Sequence, residues 1–511
     1  MKPVAAFAPS GQAPAQAASA PARPGLLPLD DALAALLATT QPLKELETLA
    51  LDEADGRVLA QDLLAALDVP GFDNSAMDGY AVRAAEVAAA HAAGAALPVS
   101  LRIAAGATAA VEAAAGEGAG AGALGRALQA GTVARIFTGA PIPAWADAVL
   151  VQEEAEASTD ASGSPQVRFL KPARLGQHIR RRGEDIACGQ IVLPAGTLLG
   201  PAEIGLAASL GAAQLPLRRR LRVALLSSGD ELIEPGHIAP EQLPPGAIYN
   251  SNRYFLRALL QRLGCQVSVC APVPDRLDET VAALHAAAQG HDLVLSSGGV
   301  SVGEADHLKA AVQALGGLHL WQIAIKPGKP FAHGWLERGD PANASNQAAA
   351  QASQASQAAA GPGNPAAACP VPPPAGQADV VAAPGNPVAS YVTFLLLVQP
   401  FVRRLQGVLG EGVQAVPSPG GPAQVAPDVR DRASLGLPQP IELPAHFDWP
   451  SAERRREFLR VRRNAAGGLD LYPNQGSGVL SSIAWADGLV DKAPGQTIAH
   501  GDGVRYWPML G

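Results

Sequence analysis

Segments with strand character and segments with helix character alternate between residues 221 and 405, and this alternation constrains the fold more than any other feature of the sequence. Each strand-like apolar run is followed by a stretch with helical spacing. The alternation predicts a parallel sheet covered by helices, because parallel strands need a crossover connection. The predicted strands are 222–226, 266–273, 292–295 and 318–325, and the predicted helices are 254–263, 277–288, 307–315 and 390–405.

The chain has 511 residues, which is too many for one hydrophobic core, so we expect further domains outside residues 221–405. We expect a multidomain α/β plus β protein. It would combine an elongated N-terminal module of helix and strands, a β-rich domain inserted in that module, a three-layer α/β domain and a small C-terminal β-barrel-like domain. Two segments rich in Ala, Gln and Pro have few large apolar side chains, so we expect them to be disordered. The expected boundaries are 1–25 for a disordered tail, 26–65 with 186–218 for the elongated module, 66–185 for the β-rich domain, 219–409 for the α/β domain, 339–382 for a disordered insertion within it, and 410–511 for the C-terminal domain.

Charge and cysteine content narrow the possible partners and the compartment. The formal net charge is −8 and the sequence has no basic block, which argues against a nucleic-acid partner and favours a small ligand. The four cysteines show no C-x-x-C spacing, which indicates a reducing compartment, and we expect the cytoplasm. No apolar run approaches the roughly 18 residues of a membrane span, so we expect no membrane association.

Acidic residues follow three of the predicted strands. Glu231 comes after the first strand, Asp275 after the second and Asp306 after the third. Carboxyl ends of parallel strands share one edge of a sheet, so these acids are expected to lie near one another. Carboxylates gathered in this way repel unless a cation lies among them, and oxygen ligands favour Mg²⁺. Each acid taken alone could equally be a solvated helix cap.

Two further loops at the same edge are suited to anions. The segment 296–301 contains two glycines and three serines between a strand and a helix, so backbone N–H groups can approach a phosphate there. Lys326 and Lys329 bracket a Pro-Gly pair and can add positive charge for a phosphate or an oxyanion. The glycines could also serve only a structural turn, and lysines on a protein surface commonly have no ligand.

Eight motifs together resemble one family, the MoeA and gephyrin family of molybdopterin molybdenumtransferases. The resemblance covers most of the chain from about Leu26. The motifs are DNSAMDGY at 73–80, TGAP at 138–141, RRGEDI at 181–186, SGDE at 228–231, SGGVSVG at 297–303, KPGKP at 326–330, PGNP at 384–387 and QGSG at 475–478. A second PGNP copy lies at 362–365, but only the copy at 384–387 precedes an apolar helix, so we assign the function to that copy.

The resemblance implies an activity and a set of site residues. A member of this family takes adenylylated molybdopterin and molybdate, depends on Mg²⁺, releases AMP and forms the molybdenum cofactor. On this basis Glu231, Asp275 and Asp306 are the expected metal ligands. The expected catalytic residues are Asp78, Thr138, Asp185, Lys326 and Lys329. The expected contacts to pterin or phosphate are Ser228, Gly229, Ser297, Gly298, Gly299, Ser301, Pro384, Pro387 and Arg460.

The resemblance also implies partners and leaves alternatives. It implies a homodimer in which the site is shared between chains, and it suggests contact with the molybdopterin adenylyltransferase. A second hypothesis is that the chain is itself a molybdopterin adenylyltransferase, but the motifs around Asp78 and Thr138 argue against it because the single-domain relative lacks them. A third is a scaffold protein like gephyrin, and the intact acids of all three loops favour catalysis over it.

Overall fold

The computed structural model describes residues 26–103, 129–299, 307–339, 376–408 and 437–509. The described chain divides into two compact units. The N-terminal unit is Glu45–Arg218, and the C-terminal unit combines described residues 26–44 and 219–509. Each unit has its own sheets and its own hydrophobic clusters.

Helix α1 (Leu29–Thr39) comes first in the chain and packs in the C-terminal unit. The N-terminal unit is β-rich, as predicted, and its largest sheet has six strands in the order β7-β4-β6-β5-β9-β8. Three two-stranded sheets pair β1 with β12, β3 with β10 and β2 with β11. Its helices are α2 (Ala84–Ala93) and α3 (Pro201–Ser209). Its strands are β1 (Leu46–Ala50), β2 (Leu63–Leu64), β3 (Asn74–Ser75), β4 (Gly79–Val82), β5 (Leu97–Ile103), β6 (Val133–Ile136), β7 (Ala148–Val151), β8 (Ala155–Thr159), β9 (Pro165–Phe169), β10 (Ile179–Arg180), β11 (Ile191–Leu193) and β12 (Gln214–Arg218).

The C-terminal unit is built on a six-stranded sheet in the order β16-β13-β17-β21-β20-β18. The first four strands in this order are mutually parallel, whereas β20 is antiparallel to both of its neighbours. The strands of this part are β13 (Arg222–Ser227), β14 (Leu232–Ile233), β15 (Ile248–Tyr249), β16 (Gln266–Val269), β17 (Leu293–Ser297), β18 (Gly316–Gln322), β19 (Ile325–Lys326), β20 (Pro330–Glu337) and β21 (Gln377–Ala383). The helices are α4 (Ser251–Arg262), α5 (Leu277–Gly290), α6 (Leu308–Leu315) and α7 (Pro387–Leu405), the last with a π-helical segment at Phe394–Val398.

Both faces of this sheet are buried, which explains the apolar runs of its strands. Along β13, Val223 and Leu225 belong to one hydrophobic cluster, while Ala224 and Leu226 belong to another. Helices α1, α4 and α7 contribute to the first cluster, and α5 and α6 contribute to the second. The three-layer α/β arrangement predicted from the alternation is therefore confirmed.

The end of β18 lies at the same sheet edge as the carboxyl ends of the parallel strands. Strand β18 is antiparallel to β20, and β20 is antiparallel to β21, so β18 and β21 run in the same direction. The sequence after β18 contains Lys326. Lys326 therefore comes after a strand end at this edge, as predicted, although the sheet is mixed rather than wholly parallel.

The last part of the chain forms a β sheet that continues into the α/β part of the same unit. Its strand order is β19-β23-β25-β26-β22, with β24 paired to β23. Strand β19 pairs in parallel with β23, which places Lys326 opposite Glu457. The elements are β22 (Ile441–Pro444), β23 (Arg456–Arg463), β24 (Leu469–Leu471), β25 (Gly488–Lys492), β26 (Gly503–Pro508) and helix α8 (Leu480–Trp485).

Several expectations differ from the observed elements. The prediction that 339–382 is a disordered insertion is wrong at its end, because residues 377–382 belong to β21. This strand lies between β17 and β20, and all of its residues except Gln377 are buried. Helix α1, expected within the elongated module 26–65, instead packs against the α/β sheet, since Leu33, Leu36 and Leu37 share its apolar cluster. The predicted strand 318–325 is divided between β18 and β19. The expected tail at 1–25 and most of the expected insertion lie outside the described residues.

Within the described segments, α7 has the length and composition of a membrane-spanning helix. It has 19 residues, and an 18-residue stretch within it has a mean hydropathy of 1.2 and is 83% buried inside the protein. Burial of this extent is typical of a core helix.

Leu36→Ala tests the packing of α1. Leu36 is 1% exposed in the main cluster, so removing its side chain leaves a cavity and should lower the free energy of unfolding by about 2–5 kcal/mol. Leu175→Ala is the matched control because Leu175 is 78% exposed. Urea denaturation monitored by circular dichroism measures both variants. Equal stability of the two variants would contradict the assignment of α1 to this core.

Candidate functional site

A cavity of about 730 Å³ lies at the carboxyl edge of the α/β sheet in the C-terminal unit. Loops that follow β13, β17, β18 and β21 form much of its wall, and the start of α4 and the segment 475–477 complete it. Eleven residues expected in the site line this cavity: Ser228, Gly229, Glu231, Asp275, Ser297, Gly298, Gly299, Lys326, Lys329, Pro384 and Pro387. Ser301 and Asp306 lie outside the described residues.

The glycine at position 298 lets two of these loops touch. Its φ is +96°, and a Cβ there would lie 2.7 Å from the carbonyl oxygen of Ser228. The Gly298 N–H donates to the carbonyl of Ala383 at 3.1 Å, which joins the loop to the end of β21. A side chain at position 298 is excluded both by conformation and by space. The loop geometry therefore requires the glycine that the sequence pattern predicted.

Two of the predicted metal-binding acids line the cavity. Asp275 accepts a hydrogen bond from the Ser228 hydroxyl at 3.0 Å, and its own N–H donates to Asp230 at 3.3 Å. Glu231 lies beside Gly229, with its carboxylate close to that backbone. Carboxylate oxygens suit Mg²⁺, which binds through one or two carboxylates together with waters and substrate phosphates. Among the described residues, no three His, Cys, Asp or Glu side chains are grouped closely enough to hold a metal.

Lys326 is paired with carboxylates on the side of the C-terminal β sheet. Its ammonium nitrogen lies 2.9 Å from Glu457 Oε1 and 3.2 Å from Glu453 Oε2. Burial lowers the pKa of Lys326, but the hydrogen bonds and charges of Glu457 and Glu453 outweigh burial, and the net pKa is raised. The lysine is therefore charged and partly neutralised. Lys329, also on the cavity wall, is exposed.

Arg455 is a cavity residue that the sequence reasoning missed. Its Nε donates to Glu453 at 3.4 Å, and its Nη1 donates to the carbonyl of Ile325 at 3.3 Å. Arg455 lies next to β23, so the pairing of β23 with β19 carries it to the Lys326 loop. The sequence pattern around it, three consecutive arginines, gave no signal that one of them lines the site.

Asn252 is a second missed residue, and it ties three elements together. It is 8% exposed in the first turn of α4, and its Nδ2 donates to Ser297 Oγ at 2.8 Å and to the Gly385 carbonyl at 2.6 Å. Ser297 Oγ therefore accepts from Asn252, which leaves the hydroxyl proton for another acceptor. The asparagine before a helix in the segment 250–252 is a signal that could have pointed to it, because Asn250 caps α4 by accepting from the Arg253 N–H.

Arg460 lies behind the cavity wall rather than on it. Its side chain is 1% exposed and donates to Ser482 Oγ at 3.2 Å and to the Gly476 carbonyl at 3.3 Å. Burial lowers the pKa of Arg460 to about 10. The direct ligand contact expected for Arg460 is thus corrected: this arginine supports the segment 475–477, which lines the cavity.

The expected residues of the N-terminal unit lie on exposed loops beside its sheets. Asp78 Oδ1 accepts from the Thr138 N–H and from the Thr138 hydroxyl, each at 2.8 Å, so these two are brought together. The Thr138 N–H, followed by the hydroxyl, lowers the pKa of Asp78. Asp185 is exposed in the loop after β10. Arg182 and Asp68 form an ion pair across that loop at 2.5 Å.

Comparison with known families identifies the regions of this chain. Residues 27–211 match the MoeA N-terminal region (domains I and II). Residues 224–404 match a probable molybdopterin-binding domain, and residues 442–509 match the MoeA C-terminal region (domain IV). The three matches follow one another in the chain and together cover most of it.

Individual relatives agree with these regional matches. The molybdopterin molybdenumtransferase of Haemophilus influenzae is 37% identical over 75% of this chain and 78% of its own length. The molybdopterin molybdenumtransferase 2 of Mycobacterium tuberculosis is 31% identical over 90% of this chain and 95% of its own. The crystal structure of a molybdopterin biosynthesis MoeA protein from Pyrococcus horikoshii has a TM-score of 0.68 at 23% identity, covers 95% of this chain and supports the fold.

The three-layer α/β sheet with its cavity at the carboxyl edge, in a chain that also carries separate β-rich regions, defines a multidomain transferase of the kind that builds the molybdenum cofactor. More particularly, the chain belongs to the MoeA family of molybdopterin molybdenumtransferases. The family resemblance of the eight motifs is confirmed.

Asn252→Ala tests the tie between α4 and the two loops. The substitution removes the buried hydrogen bond to Ser297 Oγ and the partly buried hydrogen bond to the Gly385 carbonyl, which should lower the free energy of unfolding by about 1–3 kcal/mol. Asn386→Ala is the control, because Asn386 is exposed in the same loop and its side chain does not cap α7. Chemical denaturation followed by intrinsic fluorescence gives both values. A loss no larger than that of the control would show that the hydrogen bonds of Asn252 contribute nothing.

Proposed function

We propose that this chain is a molybdopterin molybdenumtransferase: it takes adenylylated molybdopterin and molybdate, depends on Mg²⁺, releases AMP and forms the molybdenum cofactor. The observation that carries the proposal is one cavity in which two carboxylates, a glycine loop and the three cations Lys326, Lys329 and Arg455 meet. These are the groups that a phosphate ester, a divalent cation and an oxyanion need.

Two other functions fit less well. A molybdopterin adenylyltransferase would need only the α/β domain, whereas this chain also matches the MoeA N-terminal and C-terminal regions. A gephyrin-like scaffold would not need the cavity residues, yet Glu231 and Asp275 are both present on its wall. We therefore keep catalysis as the function.

The Ser297–Gly299 loop is proposed to bind the phosphate or pterin part of the substrate. The Gly298 N–H is already paired with the Ala383 carbonyl, but the glycines carry no side chain that would keep an anion away from the backbone. Asn252 donates to Ser297 Oγ, so the hydroxyl proton is available to a phosphate oxygen. The first turn of α4 adds the positive end of a helix dipole to the same wall. Ser228, Gly229, Pro384 and Pro387 would shape the adjoining walls, and Ser301 would extend the loop.

Glu231 and Asp275 are proposed to hold Mg²⁺, together with Asp306 and substrate oxygens. When bound, the ion neutralises charge on the phosphate that leaves with AMP. The Ser228 hydroxyl donates to Asp275 and holds that carboxylate toward the cavity. Glu231 follows Gly229, whose missing side chain leaves room for the carboxylate.

Lys326, Lys329 and Arg455 are proposed to form the oxyanion subsite for molybdate. Molybdate is a dianion, and three cationic side chains on one cavity wall attract it. Ser477 lies on the same wall and can donate a hydrogen bond. The pairing of β19 with β23 supports the subsite, because it brings the segment containing Arg455 beside Lys326.

Asp78, Thr138 and Asp185 are proposed to complete the site from a second copy of the chain. The proposal makes the protein a homodimer with two equivalent sites related by twofold symmetry. The hydrogen bonds from Thr138 orient the Asp78 carboxylate on an exposed loop and favour its ionised form, which suits a contact with a partner or a substrate. We also propose a cytoplasmic location and a contact with the molybdopterin adenylyltransferase, which would pass on a labile substrate.

Glu231→Gln tests the catalytic assignment. The amide keeps the size of the side chain but removes the charge, so AMP release from adenylylated molybdopterin with Mg²⁺ and molybdate should fall on the order of a hundredfold. Glu241→Gln is the matched control, because Glu241 is exposed between β14 and β15 and does not line the cavity. Chromatographic measurement of AMP follows the reaction. Unchanged release in the Glu231 variant would refute its assignment.

Mixing two inactive chains tests the shared site. Asp78→Asn and Glu231→Gln homodimers should each be inactive, but exchange of subunits forms heterodimers with one intact site. Random pairing places half of the dimers in this class, so activity should recover to about a quarter of the wild-type value. Native mass spectrometry of an isotope-labelled chain verifies exchange. If exchange occurs without recovery, Asp78 acts within its own chain and the shared-site proposal fails.

A further inference from the structure

A single carboxylate bridges two of the three cations that line the oxyanion subsite. Glu453 Oε2 lies 3.2 Å from Lys326 Nζ, and Glu453 Oε1 accepts from Arg455 Nε at 3.4 Å. Oε1 also accepts from the backbone N–H groups of Arg454 at 3.0 Å and Arg455 at 3.4 Å. The carboxylate thus occupies donors of the kind that an oxyanion would use.

The neighbouring acid Glu457 is in a different electrostatic position. It also contacts Lys326, but it lies 3.4 Å from the fully buried Lys492, and Trp449 Nε1 donates to it at 3.0 Å. Glu457 therefore has a cation and a donor of its own away from the cavity. The cations that contact Glu453 in the described structure are the two cavity residues. The negative charge of Glu453 therefore acts mainly on the two subsite cations, Lys326 and Arg455.

We propose that Glu453 limits the affinity of the oxyanion subsite, because its carboxylate competes with the incoming anion for Lys326 and Arg455. The identity of that anion rests on the proposed function, whereas the competition rests on the contacts of Glu453. The Glu453 side chain is 20% exposed and most of its contacts are 3.2 Å or longer, so it can yield to a stronger ligand. Weaker binding in the ground state keeps the anion exchangeable, which is useful when the anion must leave the subsite to react.

The Glu453 carboxylate stays charged at neutral and mildly acidic pH. Burial raises the pKa of Glu453, but hydrogen bonds from Arg455 and Lys326 outweigh burial and lower the pKa to about 2. Its effect on anion binding should therefore be present from pH 5 to 9, and moderate acidification does not remove it. A substitution is needed to test the competition.

Glu453→Gln is the central variant, and binding of sodium molybdate alone is the measurement. Loss of one negative charge beside two subsite cations should lower the Kd for molybdate by on the order of tenfold, as measured by isothermal titration calorimetry at fixed ionic strength. Phosphate, another tetrahedral oxyanion, should show the same direction. Glu442→Gln, which removes an exposed charge on β22 of the same unit, should leave both Kd values unchanged.

A second substitution separates competition from a structural role. In the Glu453→Gln background, Lys326→Met should abolish the gain, because the freed cation is then missing. If Glu453 only positions Arg455, Glu453→Gln should weaken binding instead. Weaker or unchanged binding in a folded Glu453→Gln protein overturns the proposal. Glu453→Asp covers the case of misfolding: its shorter side chain withdraws the charge from Lys326 and should give a smaller gain, and absence of that gain also counts against the proposal.

The outcomes distinguish this inference from the proposed function. Failure of the wild-type protein to release AMP, with tighter oxyanion binding in Glu453→Gln, would contradict the transferase function and leave the competition standing. Normal AMP release by the wild-type protein, without tighter oxyanion binding in Glu453→Gln, would support the transferase function and overturn the competition. If neither molybdate nor phosphate binds any of the folded variants, the subsite does not bind oxyanions and the inference is wrong.

Discussion

The close approach of the loops after β13, β17 and β21 is the constraint on which the cavity depends. Gly298 permits it, because its φ is +96° and a Cβ at this position would lie only 2.7 Å from the Ser228 carbonyl oxygen. The contact holds the Ser297 loop beside the Ser228–Asp275 pair, so phosphate donors and carboxylates face the same space. Asn252 fixes the third side by joining Ser297 to the PGNP loop. Backbone hydrogen bonds across the loops, from the Gly298 N–H to the Ala383 carbonyl and from the Ser228 N–H to the Ser297 carbonyl, stabilise this arrangement.

The C-terminal sheet contributes to the site through backbone pairing as well as through side chains. Only two residues of β19 pair with β23, yet this short register sets Lys326 opposite Glu457 and brings Arg455 to the cavity. Arg460, farther along β23, is buried and supports the segment 475–477 from behind. The region that matches the MoeA C-terminal region thus supplies Arg455 to the cavity wall and supplies Glu453 and Glu457, the two acids paired with Lys326.

Prediction from the sequence succeeded where local pattern decides the structure. Strand and helix alternation gave the three-layer sheet, and glycines and acids after strands gave the cavity wall around Glu231 and Gly298. Prediction failed where contacts between distant segments of the chain determine the structure. Strand β21 was assigned to disorder because its small residues continue an Ala-rich composition, although neighbours on both sides bury it. The pairing of Lys326 with Glu453 depends on a register between segments more than 120 residues apart, which no local pattern encodes.

Charge compensation explains why the cavity can hold both cations and acids without unfolding. Lys326 is only partly exposed, and an isolated charge there would lose solvation without a partner. Glu457 and Glu453 supply that partner, while the buried Lys492 in turn balances Glu457. The buried ion pair of Glu457 with Lys492 adds little stability by itself, since desolvation offsets the attraction. Glu453 therefore has two effects under the competition proposed above: it helps to compensate the charge of Lys326 in the fold, and it reduces the charge that Lys326 offers to a ligand.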